Sequence, residues 1–171
     1  ALAENAQYYL DHPRDIYNKD TFHWHSDALL RLLDMYGTNG TARPGLITPE
    51  TEALVFKPIW MHVKKLSSLK KADASRVWHI YESENHHAQM FTTYWHFSKL
   101  AKDRPEYKGL KYDDGHTAEE HYRAWNDYFV AYCIERGRKS VFVEMQSKYN
   151  GSTLRSLFSF YDFGEPRVKQ A

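Results

Sequence analysis

Short polar and imidazole side chains follow one another from Ser83 to His87, in the order Ser-Glu-Asn-His-His. The residues from Met90 onward are largely aromatic and apolar, as in a buried helix. Ser83 is a suitable N-cap, so Asn85 and His86 would lie in the first helical turn, where amide N–H groups and the helix dipole favour an anion. The alternative is that these two residues only cap and satisfy the helix terminus.

An amide and an imidazole at such a position suit the neutralisation of a carboxylate. Elimination from a uronic acid chain needs this, because removal of the weakly acidic proton places more negative charge on the carboxylate. A second group must accept the proton, and a phenol or imidazole can do so when neighbouring positive charge lowers its pKa. Tyr149 lies in an irregular stretch where a reactive side chain can face a cleft, although a lone tyrosine is more often a packing or surface residue.

Other chemistries are open to the same residue types. A two-carboxylate glycoside hydrolase could use Glu84 and Glu144, although nothing in the spacing of the acidic residues singles out a pair. The ten histidines lack the paired spacing of common metal sites, so neither a metal nor a cofactor is expected. The high aromatic fraction, 16%, suits a packed core or a carbohydrate cleft. Trp24 and His25 are therefore candidates for substrate binding, with a core position as the alternative for Trp24.

Apolar residues at helical spacing predict an all-α chain that forms a single domain over residues 1–171. Antiparallel helical hairpins are the expected unit. Asp20 is the expected cap of the first helix, and Pro58 should kink or split the second. The predicted helices cover 21–36, 48–69, 84–101, 118–137 and 152–163.

The connecting segments carry weaker signals. Residues 1–19 show little periodicity, with a break at His12-Pro13, and 102–116 is expected to be a long loop. Residues 141–143 could form a brief extended piece.

The charge balance limits the partners. The chain has 23 basic and 22 acidic residues, a net charge of +1 and no basic tract, which argues against nucleic acid as the main partner. No stretch approaches the roughly 20 apolar residues that span a bilayer, so no membrane partner is expected.

Two motifs resemble a known family. The segment from Glu84 to His87, which opens a long aromatic helix, resembles the Asn-His segment of helical-toroid polysaccharide lyases that act on uronic acids such as alginate and glucuronan. The segment from Glu144 to Tyr149, followed by the helix that ends at Phe163, is similar to the tyrosine segment of these enzymes. The resemblance covers roughly residues 20–165.

The resemblance implies that antiparallel hairpins form part of an (α/α) toroid with an acidic polysaccharide in a cleft across one end. Asn85, helped by His86 or an arginine, would neutralise the uronate carboxylate, and Tyr149 would act as base, acid or both. Arg138 or Arg136 is the nearest match to the family's arginine. Substrate contacts would come from Trp24, His25, Glu84, His87 and Glu144.

The same resemblance has consequences for assembly and location. A complete toroid needs about 250–350 residues, so the chain is expected to be a partial toroid or a fragment of a larger enzyme. Its partner would then be the remainder of that enzyme or a second copy of itself. The substrate class implies a secreted or periplasmic protein. A non-catalytic carbohydrate-binding helical domain stays open as the alternative to both enzyme classes.

Overall fold

A computed structural model describes residues 1–17, 22–139 and 149–171 of the chain. Over these ranges the chain is all-α, as predicted, with one short 3-10 turn and an isolated β-bridge between Lys111 and Thr117. The helices are α1 (Leu2–Asp11), α2 (Pro13–Ile16), α3 (Phe22–Tyr36), α4 (Pro49–Leu66), α5 (Glu84–Ala101), α6 (Pro105–Lys108), α7 (Ala118–Lys139), α8 (Asn150–Phe163) and α9 (Pro166–Lys169). The 3-10 turn is Ala74–Arg76.

Local start signals account for the positions of the long helices. Thr48 accepts a hydrogen bond from the backbone N–H of Thr51, and proline occupies the first position of α4. At the start of α7 the Thr117 hydroxyl accepts from the Glu120 N–H, and the Glu120 carboxylate accepts from the Thr117 N–H at 2.7 Å. This reciprocal pair is a capping box. The five predicted long helices are confirmed, with boundary differences of a few residues.

Three expectations about the connections differ from the structure. Pro58 does not split α4, which is continuous from Pro49 to Leu66 around a buried Pro58. Residues 2–11 form the helix α1, which the sequence did not predict. Only Ala6 and Tyr9 of this helix are buried, and this explains its weak apolar periodicity. The expected loop after α5 contains the short helix α6. Asp20 and residues 141–143 lie outside the described residues.

Helix α5 is the centre of the domain. Of its 18 residues, 14 are buried, which confirms the prediction of a helix covered on most sides. Its aromatic residues pack against other helices: Phe91 lies 4.7 Å from Trp125 of α7, and Trp95 lies 4.5 Å from Phe160 of α8, between ring centroids. The first turn of α5 is therefore held in place by a large buried core.

Helices α3, α5 and α8 run parallel to one another. Between α3 and α5, His23 contacts His86, Ser26 contacts Thr93, and Asp34 contacts His96, so residue numbers rise together. Between α5 and α8 the same holds for the pairs Gln89–Arg155, Trp95–Phe160 and His96–Phe163. The N-termini of these three helices therefore lie at one end of the domain.

Helices α4 and α7 run in the opposite direction and cover α5 from its other sides. Phe56 and His62 of α4 contact Phe97 and Tyr94 of α5, so residue numbers fall along one helix as they rise along the other. Tyr132 and Trp125 of α7 pack in the same antiparallel way on α5. No helix in the described ranges is both long and apolar enough to cross a membrane.

Candidate functional site

The first turn of α5 places Asn85 among buried groups. Its side chain is 2% exposed, and its amide oxygen accepts a hydrogen bond of 2.5 Å from the Ser83 hydroxyl. Ser83 has the extended backbone of an N-cap, but its side chain makes no capping hydrogen bond to the helix backbone. The Ser83 hydroxyl therefore orients the Asn85 amide instead of closing the helix end.

His86 lies in the same turn and is partly buried, with 22% of its side chain exposed. Its Nδ1 atom is 3.4 Å from a carboxylate oxygen of Glu82, a residue with a positive φ of 64°. Its ring centroid is 5.0 Å from that of His23 and 5.4 Å from that of Trp24, both in the first turn of α3. The structure thus brings together His86 and Trp24, two residues predicted for the site.

His87 points into the core instead. It is fully buried, accepts a hydrogen bond from the Tyr81 backbone N–H on Nδ1 at 3.2 Å and contacts the Tyr128 hydroxyl through Nε2 at 2.8 Å. Burial and the nearby Arg136 guanidinium lower its pKa to about 3, so the ring is neutral with the proton on Nε2. With both nitrogens engaged, His87 is placed to fix the first turn of α5 rather than to touch a substrate.

Glu84 forms a buried ion pair with Arg136 of α7. The two side chains are 5% and 7% exposed, and Nη1 of Arg136 lies 3.3 Å from Oε1 of Glu84. The guanidinium also stacks over the ring of Trp78, 4.5 Å from its centroid. Arg138, two residues later, is exposed in the last turn of α7. Within the described ranges Arg136 is thus the arginine of this pair that contacts the Asn-His segment.

Tyr149 lies at the end of the domain where Asn85 lies. It occupies the N-cap position of α8, is 40% exposed, and its carbonyl accepts hydrogen bonds from the N–H groups of Ser152 and Thr153. Because α5 and α8 are parallel and Gln89 contacts Arg155, Asn85 and Tyr149 lie at similar heights, offset along the axis by only about 3 Å. The neighbouring helix axes are about 8–10 Å apart in such packing.

Comparison of the chain with family models, with curated proteins and with solved structures finds no match. The function must therefore be argued from this arrangement of side chains.

Two predicted residues are not joined to the others by the described contacts. His25 is exposed on α3, and its Nδ1 atom lies 2.6 Å from the hydroxyl of Tyr9 in α1. Glu144 lies outside the described residues. No group of three or more histidine, cysteine or acidic side chains suited to a metal ion occurs in the part of the chain that the structure describes.

Sequence reasoning did not single out a polar layer between the three parallel helices. Asp27 of α3 is fully buried; one of its carboxylate oxygens lies 3.2 Å from the Ser156 hydroxyl and 3.4 Å from Nε of Arg155. Burial raises the pKa of Asp27, and the Arg155 charge opposes this shift. Arg155 also donates to Gln89 of α5 at 3.4 Å. The available signal in the sequence was the spacing of four residues between His23 and Asp27, which places two polar side chains on the same face of α3.

Buried neutral histidines predict a loss of stability in mild acid. Burial lowers the pKa of His23 and His87 to about 3 and that of His62 to about 4. In the unfolded chain each titrates near 6.5, so below that pH the unfolded state binds more protons, and stability falls as pH falls towards the folded pKa values. Each histidine contributes a slope of up to about 1.4 kcal/mol per pH unit. Urea unfolding at several values between about pH 7 and 4.5 measures this slope.

His62→Gln should reduce that slope, and His25→Gln, at an exposed position, should leave it unchanged. Asp27, whose pKa burial raises, would change stability in the opposite direction over this range, so the difference between His62→Gln and the wild type is what reports on the histidine. Equal slopes for His62→Gln and the wild type would contradict the neutral, buried state of this ring.

Proposed function

We propose that the protein is a polysaccharide lyase that cleaves a uronic acid polymer by β-elimination. The observation that carries this proposal is the position of Asn85, His86 and Tyr149 at the end of the domain where three parallel helices begin. The helices are 15, 18 and 14 residues long, so each places a partial positive charge at this end. An acidic substrate is therefore favoured there over a neutral or cationic one.

The chemistry of β-elimination explains the use of each group. Abstraction of the proton beside the uronate carboxylate develops negative charge on the carboxylate oxygens, and fixed donors stabilise that charge. The Asn85 amide and the His86 imidazole would supply these donors, with Ser83 holding the amide in orientation. Tyr149, a residue that is 40% exposed, would act as the phenolate: it would accept the proton and then, as the phenol, donate it to the leaving sugar oxygen as the bond from carbon to that oxygen breaks.

An arginine near this end would add fixed positive charge. Arg136, which contacts Glu84, and Arg155 are both candidates, and Arg155 is tied to α5 through Gln89 and to α3 through Asp27. Arg155 also lines a cleft of about 560 Å³ between α3 and α8 that starts at Gly151, two residues after Tyr149. An extended polymer could follow this cleft.

The helix directions support part of an (α/α) toroid, in which parallel inner helices alternate with outer helices of opposite direction. Helices α3, α5 and α8 would be the inner set, and α4 and α7 would belong to the outer set. A secreted or periplasmic location and association with further helices belong to the same proposal. The glycoside hydrolase alternative is less well supported, because Glu84 is buried against Arg136 and is poorly placed to act on a sugar.

The test is a spectroscopic assay on a panel of uronic acid polysaccharides. Elimination produces a conjugated unsaturated uronate, so ultraviolet absorbance should rise as the polymer is cut. Appearance of reducing ends without this absorbance would indicate hydrolysis instead. Binding of a polymer without either signal would support a non-catalytic carbohydrate-binding domain and contradict the lyase.

A further inference from the structure

Two side chains in the first turn of α3 have buried polar atoms without a hydrogen-bond partner. Nε1 of Trp24 and both ring nitrogens of His23 have no hydrogen-bond partner among the described residues. His23 is completely buried. Most buried polar atoms in proteins have a hydrogen-bond partner. The polar atoms of these two neighbouring side chains are therefore expected to bind a water molecule or a ligand.

The geometry gathers these atoms beside His86. The centroid distances are 5.0 Å from His23 to His86, 5.4 Å from Trp24 to His86 and 6.2 Å from His23 to Trp24, so the three rings form a compact triangle. An indole Nε1–H can only donate, and an imidazole donates from one nitrogen when neutral and from both when protonated. A ligand that serves all three rings must therefore be an acceptor.

The helix N-termini favour an acceptor that is negatively charged. His23 and Trp24 lie in the first turn of α3, and His86 lies in the first turn of the parallel helix α5. Amide N–H groups and helix dipoles at both termini favour an anion over a neutral carbonyl. Glu82 places a carboxylate 3.4 Å from Nδ1 of His86 and would repel a second carboxylate there, so an incoming anion would contact His86 through Nε2.

The groups around His23 keep it neutral in the absence of a ligand. Burial has the largest effect on its pKa, and together with His86 of α5, His62 of α4 and His25 of α3 it lowers the pKa to about 3. Asp27, one turn along α3, is the acidic group on the same helix, but its carboxylate is oriented towards Ser156 and Arg155 of α8. An added anion would supply the counter-charge that His23 lacks.

We propose that His23, Trp24 and His86 form a binding site for the carboxylate of a uronic acid, and that His23 takes up a proton when the carboxylate binds. The uronic acid identity rests on the function proposed above, whereas the carboxylate class rests on the three rings. Trp24 and His86 donate hydrogen bonds to the carboxylate, and protonated His23 forms an ion pair with it. Binding of the acidic substrate should therefore strengthen as the pH falls through mildly acidic values.

Isothermal titration of the full chain with glucuronate, in two buffers of different ionisation enthalpy, measures the proton uptake. We expect net proton uptake on binding that is larger at about pH 5 than at pH 7, and weaker or no binding of glucose, which lacks the carboxylate. In NMR spectra the indole N–H resonance of Trp24, assigned by its loss in Trp24→Phe, should shift as glucuronate is added. The absence of glucuronate binding, binding without proton uptake, or an unmoved Trp24 resonance would each overturn the proposal.

Matched variants on α3 separate this site from general effects. His23→Gln keeps an amide donor but cannot be protonated, so proton uptake should disappear and affinity should fall roughly tenfold to hundredfold, as for the loss of a hydrogen bond to a charged group. Leu32→Gln, at an exposed position on the same helix, should retain wild-type uptake and affinity. Equal behaviour of the two variants would contradict the role of His23.

The outcome for this site is distinguishable from the outcome for the lyase. Glucuronate binding with proton uptake, but without ultraviolet absorbance from any polymer, would support the carboxylate site and refute the lyase. Lyase activity without proton uptake or a Trp24 shift would refute the site and leave the lyase supported.

Discussion

Replacement of Tyr149 by phenylalanine is expected to lower the turnover of the proposed lyase reaction by about 10²–10⁴-fold, the usual contribution of a general acid or base. The substitution removes only the hydroxyl of a side chain that is 40% exposed at the N-cap of α8. The helix and its core contacts should therefore stay intact. Because the hydroxyl would act in the proton transfer, kcat and kcat/KM should fall together, whereas KM should change little.

Tyr161→Phe is the matched control for this variant. Tyr161 lies on the same helix and is 67% exposed, so loss of its hydroxyl should leave turnover within experimental error. Circular dichroism and urea unfolding would verify that both variants fold like the wild type. Turnover of Tyr149→Phe within threefold of the wild type would exclude Tyr149 as the base or acid. A threefold change corresponds to roughly 0.7 kcal/mol of activation free energy.

The fold was largely predictable because local signals and apolar periodicity agree along most of the chain. Thr48-Pro49 marks the start of α4, and Thr117 with Glu120 marks the start of α7. The exceptions arose where tertiary contacts override local preference. Pro58 lies inside a continuous α4, where the packing of buried neighbours outweighs one missing backbone hydrogen bond.

The sequence predicted that Asn85 and His86 lie in the first turn of a long buried helix, as the structure has them, but it did not predict the residues around them. The polar segment before an aromatic helix located Asn85 and His86, because polar side chains at the start of a buried helix are unusual in a plain core. The sequence could not show that α3 and α5 are parallel, and this is what brings His23 and Trp24 to His86. Likewise, periodicity alone could not tell that His87 turns inward to Tyr128 while His86, one residue earlier, stays partly exposed.

The separation of adjacent residues explains how one segment can serve two purposes. Successive helical side chains point about 100° apart. Glu84 and His87 face α7, and the directions of Asn85 and His86 differ from theirs. The inward pair anchors the turn to the core through Arg136 and Tyr128. Asn85 and His86 can then hold fixed positions at the helix terminus, which electrostatic stabilisation of a developing charge requires.

Replacement of Arg136 by methionine is expected to destabilise the fold by about 3 kcal/mol, because it removes the cation beside a buried carboxylate. Arg136 contacts Glu84 at 3.3 Å and stacks on Trp78 and Tyr132, so its loss also removes favourable cation–π contacts. Its Nε and Nη2 atoms have no hydrogen-bond partner among the described residues, and this places the effect at the low end for a buried ion pair. Urea unfolding at about pH 7 measures the change.

Arg138→Met is the matched control, since Arg138 is exposed two residues further along α7 and should change stability by no more than about 0.5 kcal/mol. The double variant Glu84→Gln with Arg136→Met completes a mutant cycle, and a coupling of about 0.5–3 kcal/mol is expected for residues in direct contact. Additive single effects would show that the pair contributes packing only. In that case the Glu84–Arg136 contact would not be what fixes the Asn-His segment at the start of α5.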